Sequence, residues 1–310
     1  MIRPGHSPFC LRRGVAAREV VVLAVALFAG LIVLAPWILQ RRAQARRSLC
    51  EFRQIQTAEA IIRWENRVGR FPGTREVLPT TDRSIGWTTA ILDDLDRSPR
   101  GESPWAAAAE LVMSDVESNP TTLIITLLCP AAEPPEEGWG PRSHWVINSG
   151  MPDALQPATD APVDWRENGI AHDQSAAHPQ SVSLDYLIKH DGSNATLLIT
   201  ENMGAGNWYD HGELLTGFVW RADVKGVDAV RDPLQLLGIN EEVGRSDQTS
   251  RFMRPASFHL GGVNAVYASG RTQFLHQSID YVVYTQLMST HGAEVKQPGG
   301  DELIPPPYRH

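Results

Sequence analysis

The chain has 310 residues, 42% of them hydrophobic, and its 28 Lys and Arg against 36 Asp and Glu give a net charge of −8. Residues 1–47 contain eight Arg and one Glu, so this segment carries +7 and residues 48–310 carry −15. Such an acidic body argues against a nucleic-acid partner, because nucleic-acid-binding proteins present a basic surface to the phosphates.

The first predicted element is an apolar segment at residues 20–39, which contains no charged residue. At about 1.5 Å per residue, a helix of this length covers the ~30 Å hydrocarbon core of a bilayer. The segment is longer than the ~7–15-residue apolar region of a secretory signal, and no Ala-x-Ala cleavage site follows it. The sequence therefore predicts a membrane-spanning helix.

A basic leader that ends in Gly14 precedes this segment, and Glu19 lies at its start. If the chain were cut between Gly14 and Val15, Glu19 would be the fifth mature residue and Pro36 the twenty-second. This arrangement resembles the prepilin signal of type IV pilins and type II secretion pseudopilins, although Val15 stands where those families usually have Phe. The resemblance implies cleavage by a prepilin peptidase, a kink at Pro36, and self-association in which the amine of Val15 meets Glu19 of a neighbour. The alternative is an uncleaved single-pass anchor.

Arginines flank both ends of the apolar segment, so the positive-inside rule does not orient it. The resemblance does: residues 1–14 form a cytoplasmic leader, residues 15–68 a transmembrane and stalk helix in the inner membrane, and residues 69–310 an exported domain. Apolar residues continue at helical spacing to about residue 67. Gly69 and the following Phe71-Pro72-Gly73 turn predict the end of the helix.

The exported part is predicted to contain one short helix at residues 104–113 and several β-rich runs bounded by Pro, Gly, Asn or Asp. These runs are residues 121–128, 144–148, 195–200 and 217–220. Between them, residues 131–141 and 151–177 are predicted loops.

Near the C-terminus, residues 263–268 and 271–275 flank Ser269-Gly270 and predict a β-hairpin. A closing helix follows, for which Ser278 or Asp280 can serve as the cap. The expected fold class is α+β: a long pilin-like N-terminal helix on a mostly antiparallel sheet, with loop insertions, the hairpin and the closing helix.

Residues 257–295 carry a pattern of His, nine residues, and then a turn. It is similar to the signature of a large prepilin-like family of unknown function, abundant in planctomycetes, whose turn is usually Asp-Gly where this chain has Ser269-Gly270. The matching residues are His259, Gly261, Gly262, Asn264, Ser269 and Gly270. Further matches are Gln54-Ile55 after Cys50, the turn at residues 69–72, Leu128-Cys129-Pro130, Asn148-Ser149-Gly150, and residues 183–208.

This signature allows a catalytic interpretation with His259 as a base. However, nine extended residues span up to ~30 Å, and Ser269 lacks the carboxylate that would orient a histidine. We therefore expect His259 to pack or hydrogen-bond within the scaffold, and the glycines to support the fold. We expect neither catalysis nor a cofactor.

Of the three cysteines, Cys10 would be removed with the leader, which leaves Cys50 and Cys129 on the exported side. A disulfide can persist there. Their spacing resembles no Cys-x-x-Cys metal or redox motif. Two alternatives remain open, one disulfide or two buried thiols.

Three His-acid pairs offer metal-ligand chemistry: His172-Asp173, His190-Asp191 and Asp210-His211. None has the His-Glu-x-x-His spacing that presents two ligands on one helix face. They are predicted to be solvated loop residues, and no metal site is expected. Of the nine Trp, Trp37 suits the membrane interface and the others are predicted to lie in the core.

These observations predict a membrane-anchored, pseudopilin-like envelope protein with a structural or assembly role. Its expected partners are membrane lipid, a prepilin peptidase and copies of itself or of pseudopilin-like neighbours. The alternative is an exported, membrane-anchored module that binds a glycan or surface polymer, with exposed tryptophans as a stacking platform.

Overall fold

The computed structural model describes residues 17–78, 83–96, 123–132, 141–150, 165–219, 239–240 and 255–294. Contacts divide the chain into two units, residues 1–46 and residues 47–310. The described helices are α1 (Ala17–Val68), α2 (Trp87–Ala90), α3 (Leu92–Asp96), α4 (Leu184–Lys189), α5 (Glu213–Thr216) and α6 (Tyr281–Met288). The described strands are β1 (Glu76–Val77), β2 (Ser84–Ile85), β3 (Trp145–Gly150), β4 (Leu197–Glu201), β5 (Gly217–Val219), β6 (Gly262–Tyr267) and β7 (Thr272–His276).

Helix α1 is 52 residues long and continues through Pro36. It ends where the sequence predicts, because Gly69 adopts a φ of +82° and its N–H donates to the Glu65 carbonyl at 2.7 Å. Glycine reaches this left-handed conformation without a steric penalty and so forms a common helix C-cap.

The five-stranded sheet has the order β5-β3-β4-β6-β7. All of its neighbouring pairs are antiparallel except β3 and β5, which run parallel. A separate two-stranded antiparallel ladder joins β1 to β2. With its long N-terminal helix and mixed sheet, the protein has the α+β class that the sequence predicts.

Every residue of the three inner strands, β3, β4 and β6, is buried, so the middle of the sheet is covered on both faces. One core joins the C-terminal half of α1 to one face of the sheet; its members include Ala58, Ile61, Trp64, Trp145, Ile147, Val266 and Ala268. The opposite core includes Val146, Phe218, Val263, Ala265, Tyr267, Tyr284 and Met288. Since side chains alternate along a strand, β6 contributes Val266 to one core and Ala265 to the other.

The predicted strand at residues 121–128 is wrong for its described part, because Ile125–Leu127 forms a 3₁₀ helix. The Trp145 indole donates to the Thr126 carbonyl at 2.8 Å, so a side chain satisfies this backbone group in place of a neighbouring strand. The predicted helix at residues 104–113 lies outside the described residues.

Four of the tryptophans predicted to lie in the core are buried: Trp64, Trp87, Trp145 and Trp208. Trp165 is partly exposed, and Trp105, Trp139 and Trp220 lie outside the described residues.

The closing helix α6 is capped by Asp280, whose carboxylate accepts the Val283 N–H at 3.2 Å. Its last turn is tied to the sheet by Asn148. The Asn148 Nδ2 donates at 2.8 Å both to the Met288 carbonyl and to the Leu197 carbonyl. A buried amide thus fixes the end of α6 against β3 and β4.

We expect Gly270→Val to lower the free energy of unfolding by about 1–3 kcal/mol, because valine would have to adopt the φ of +83° that Gly270 has between β6 and β7. The measurement is thermal or denaturant unfolding of the full chain in detergent. The neighbouring exposed Ser269 provides the control, since Ser269→Ala should change stability by no more than ~0.5 kcal/mol. Equal stabilities of the two variants would contradict the strain argument.

A buried cluster of thiols, carboxylate and imidazole

The candidate site is a buried cluster to which four distant segments of the chain each contribute one side chain. Cys50 comes from α1, Cys129 follows the 3₁₀ helix, Glu201 ends β4, and His259 lies just before β6. One ligand atom from each of the four residues lies within 4.8 Å of the others. We call these four residues the Cys-Glu-His cluster. In the part of the chain that the structure describes, it is the one grouping of His, Cys, Asp and Glu with metal-site spacing.

The distances within the cluster are those of direct polar contacts. Cys50 Sγ lies 2.8 Å from Cys129 Sγ and 2.6 Å from Glu201 Oε1. His259 Nε2 lies 3.5 Å from Cys129 Sγ and 3.3 Å from Glu201 Oε1. Both cysteines are free thiols. Glu201 is 2% exposed and His259 is 9% exposed, so the polar groups must find their partners inside the protein.

Asn264 on β6 holds the Glu201 carboxylate in place. The Asn264 backbone N–H donates to Oε2 at 2.8 Å, and its Nδ2 donates to Oε1 at 3.2 Å. Helix α1 contacts the same residue from the other side, because Gln54 Nε2 donates to the Asn264 carbonyl at 3.1 Å. Arg47 Nε donates to the Asn264 side-chain oxygen at 3.4 Å.

Hydrogen bonds outside the cluster also fix Cys129 and His259. The Cys129 N–H donates to His144 Nδ1 at 2.9 Å. The His259 N–H donates to Ser257 Oγ at 2.9 Å, while Asn240 Nδ2 donates to the His259 carbonyl at 3.2 Å. These hydrogen bonds hold the backbone of the loop before β6. The imidazole of His259 then points towards Cys129 Sγ and the Glu201 carboxylate.

The surroundings shift the protonation of these groups in opposite directions. Burial, together with the nearby Cys129 and Glu201, raises the pKa of Cys50, whereas the hydrogen bond from Cys50 lowers the pKa of Cys129. Burial opposes the charged form of His259, but its hydrogen bonds to Cys129 and Glu201 outweigh burial and raise its pKa to about 9. The imidazole of His259 is therefore held in its protonated form at neutral pH.

His144 behaves differently. Burial lowers its pKa to about 4, with a smaller contribution from the positive charge of Arg142. Its ring is therefore neutral at pH 7, which leaves Nδ1 free to accept the Cys129 N–H.

The structure places the residues of the C-terminal signature in two locations. His259, Gly261, Gly262 and Asn264 lie at or near the start of β6, beside the cluster. Ser269 and Gly270 lie in the turn after β6, at the other end of a six-residue strand. A strand of this length spans about 20 Å, so Ser269 is no partner for His259.

Gly262 has a steric reason to be glycine. A Cβ at this position would collide with the Leu275 carbonyl on the paired strand β7. Gly261 has a φ of +87°, which a residue with a side chain rarely adopts.

Glu201 was not among the site residues predicted from the sequence. It ends the fully buried strand Leu197–Glu201, after four apolar or hydroxyl-bearing residues. A carboxylate at the end of such a strand could have indicated a buried polar site. Cys50 and Cys129 are both buried and lie side by side. The two alternatives, one disulfide or two buried thiols, both stay predictions.

The three His-acid pairs instead make separate local contacts. His172 Nε2 lies 3.1 Å from the Gly169 carbonyl, and the ring of His190 stacks on His291 at 3.9 Å. Asp210 accepts the Asn207 N–H at 2.7 Å. Among the described residues, the pairs do not gather at a common point.

The second functional feature is the start of α1. From Val20 to Leu39 the large apolar side chains that the structure describes have exposed fractions of 42–67%. By length and composition, this is the one helix among the described residues that could cross a membrane. Glu19 lies in its first turn, while Gly14 and Val15 lie outside the described residues.

The fold and these features define an α+β protein with an N-terminal apolar helix capable of spanning a membrane. A family model described as a protein of unknown function, DUF1559, matches residues 40–281, which is more than three quarters of the chain. The chain therefore belongs to the DUF1559 family. No curated protein and no solved structure matches it.

We expect Asn264→Ala to lower the free energy of unfolding by about 1–3 kcal/mol, because the buried Glu201 carboxylate would lose the Nδ2 donor. Denaturant unfolding of the full chain in detergent measures the effect. Asn194→Ala, at an exposed asparagine, is the matched control and should leave stability within about 0.5 kcal/mol of the parent. An Asn264 variant as stable as this control would mean that the amide does not support the carboxylate.

Proposed function

We propose that this protein is a membrane-anchored envelope protein with a pseudopilin-like structural or assembly role. The observation that best supports this proposal is the difference between the two parts of α1. Its first part exposes a continuous apolar surface, and its second part builds the core of the folded domain. One helix with these two surfaces joins an anchor directly to an exported domain.

The apolar surface requires a non-aqueous partner. Leaving apolar area in water costs on the order of 25 cal/mol per Å², and residues 20–39 expose large side chains all around the helix. A helix that is apolar on every side is typical of a membrane span. Lipid and the same helix of a neighbouring copy are the two partners that this surface suits.

Glu19 adds the assembly part of the proposal. Its position at the start of the apolar span matches that of the acid in the prepilin signal that the sequence resembles. If a prepilin peptidase removes residues 1–14, the new amine of Val15 can pair with Glu19 of an adjacent copy. In this interpretation the N-terminus is cytoplasmic, the span lies in the inner membrane, and the folded domain is exported.

No catalytic step forms part of this proposal. The polar groups around His259 are engaged in hydrogen bonds that hold α1, β4 and β6 together. The glycan-binding alternative needs exposed tryptophans. Among the described tryptophans of residues 47–310, Trp64, Trp87, Trp145 and Trp208 are buried and Trp165 is partly exposed.

The proposal first predicts that the leader, residues 1–14, is removed. Protein isolated from its native membranes should begin at Val15 and lack Cys10, as shown by intact mass and N-terminal sequencing. Gly14→Leu should block the cut because the leader would no longer end in glycine, while Gly5→Leu, far from the cut, should leave it intact. A native chain that retains Arg12-Arg13-Gly14 would contradict the pathway and favour an uncleaved anchor.

Glu19→Ala should abolish self-association in the membrane without changing the thermal stability of the folded domain. The reason is that Glu19 lies at the start of α1, outside both cores. Cross-linking between copies in native membranes measures the first effect, and thermal unfolding in detergent measures the second. Arg18→Ala is the matched control, since it removes the neighbouring charge and should preserve cross-linking. Unchanged cross-linking of Glu19→Ala would remove the assembly role and leave the anchored binding module.

A further inference from the structure

We propose that the Cys-Glu-His cluster binds one Zn²⁺ ion through Cys50 Sγ, Cys129 Sγ, a Glu201 carboxylate oxygen and His259 Nε2. The sequence predicted no metal site, because the spacing of Cys50 and Cys129 matches no Cys-x-x-Cys motif and the three His-acid pairs lack the His-Glu-x-x-His spacing. The inference does not depend on the proposed assembly role, since it concerns only the folded domain.

The geometry is the first argument. Zinc bonds of ~2.0–2.3 Å in a tetrahedron place the ligand atoms about 3.3–3.8 Å apart. The separations of His259 Nε2 from Glu201 Oε1, 3.3 Å, and from Cys129 Sγ, 3.5 Å, already have this length. Cys50 Sγ lies closer to Cys129 Sγ and Glu201 Oε1, at 2.8 and 2.6 Å. A shift of this one sulfur by about 1 Å would open both short edges to tetrahedral values.

The donor set is the second argument. Two sulfurs, one imidazole nitrogen and one carboxylate oxygen suit zinc, whereas magnesium and calcium prefer oxygen ligands alone. Four protein ligands would close the coordination sphere, as in structural zinc sites. The burial of all four residues agrees with a closed site.

The surrounding hydrogen bonds are the third argument. Ligands in metal sites are commonly held by a second layer of hydrogen bonds. Here Asn264 donates twice to the Glu201 carboxylate, His144 accepts the Cys129 N–H, and Ser257 accepts the His259 N–H. These contacts fix three of the four ligands in the orientation that a metal ion would need.

Charge supports the same assignment. Two thiolates and a carboxylate would place three negative charges in a space that excludes water, and a divalent cation compensates most of that charge. Thiols and imidazole bind zinc in their deprotonated forms, so binding would release their protons to solvent.

A disulfide between Cys50 and Cys129 is the competing outcome. It would use two of the four groups and leave the Glu201 carboxylate and the His259 imidazole to pair with each other and with Asn264. A metal ion gives every one of the four groups a partner. It would also join α1 to β4 and to the loop before β6, and so stabilise the folded state in proportion to its affinity.

The experiment uses the full chain, purified in detergent from its native membranes without a polyhistidine tag and without chelator. Elemental analysis should find one zinc per chain, and the mass of the denatured chain without reductant should match the fully reduced chain. After removal of the zinc, refilling with Co²⁺ should produce a thiolate-to-cobalt charge-transfer absorption, and refilling with Zn²⁺ should raise the unfolding temperature.

Four variants localise the ion. Glu201→Gln and His259→Gln each remove a ligand and should weaken zinc retention against a competing chelator by more than the roughly 10–100-fold cost of losing a second-layer partner. Asn264→Ala removes such a partner and should fall within about 10–100-fold. His190→Gln, at an exposed histidine outside the cluster, should retain zinc like the parent.

Three results would each overturn the inference. The first is a native chain without zinc, whether its mass is lower by two hydrogens, as for a disulfide, or matches the fully reduced chain. The second is a parent chain that shows no thiolate-to-cobalt absorption, which decides the question even if the ligand variants fail to fold. The third is equal zinc retention in the parent, Glu201→Gln and His259→Gln, which would indicate an adventitious ion.

Discussion

The buried carboxylate of Glu201 is the constraint on which the arrangement of this domain depends. At 2% exposure it cannot be hydrated, and a carboxylate without partners inside a protein is strongly destabilising. Its partners come from α1, from β6 and from the loop before β6, so these segments can adopt few other relative positions without leaving the charge unpaired. A one-residue slip of β6 would turn Asn264 to the opposite face of the sheet and remove both of its hydrogen bonds to Glu201.

The face of helix α1 that packs on the sheet carries a short row of polar side chains, which contact Glu201 and Asn264. Arg47, Cys50 and Gln54 recur at the three- and four-residue spacing that places side chains on one helix face. Arg47 and Gln54 reach Asn264, and Cys50 reaches Glu201. Beyond this stripe, Ala58, Ile61 and Trp64 continue into the core. The polar contacts therefore set the register of the helix on the sheet, and the apolar contacts supply most of the buried area.

The two parts of α1 differ in composition. Residues 20–39 are apolar around the whole circumference, which is typical of a helix that spans a membrane. The second half is amphipathic because one side packs on the sheet and the other is exposed. Gly69 then ends the helix, and the bidentate pair between Arg70 and Glu76, at 2.6 and 2.7 Å, holds the turn that follows. The apolar segment and the amphipathic segment are thus consecutive parts of one helix.

The sequence by itself determined the features that depend on neighbouring residues: the apolar span, the end of α1 at Gly69, the strands of the sheet and the turn at Ser269-Gly270. These follow from periodicity and from the φ preferences of glycine, which act within a few residues. The β-rich composition of residues 125–127 predicted a strand, but these residues form a 3₁₀ helix in which the Thr126 carbonyl accepts a hydrogen bond from the Trp145 indole.

Only the tertiary structure brings the four residues of the Cys-Glu-His cluster together. Cys50 meets Cys129 and Glu201 across 79 and 151 positions, and Cys129 meets His259 across 130. Contacts of this range depend on sheet order and on the seating of α1, which no local pattern encodes. His259 and Ser269 are the opposite case. They are only ten positions apart in sequence, but the extended strand β6 separates them in space.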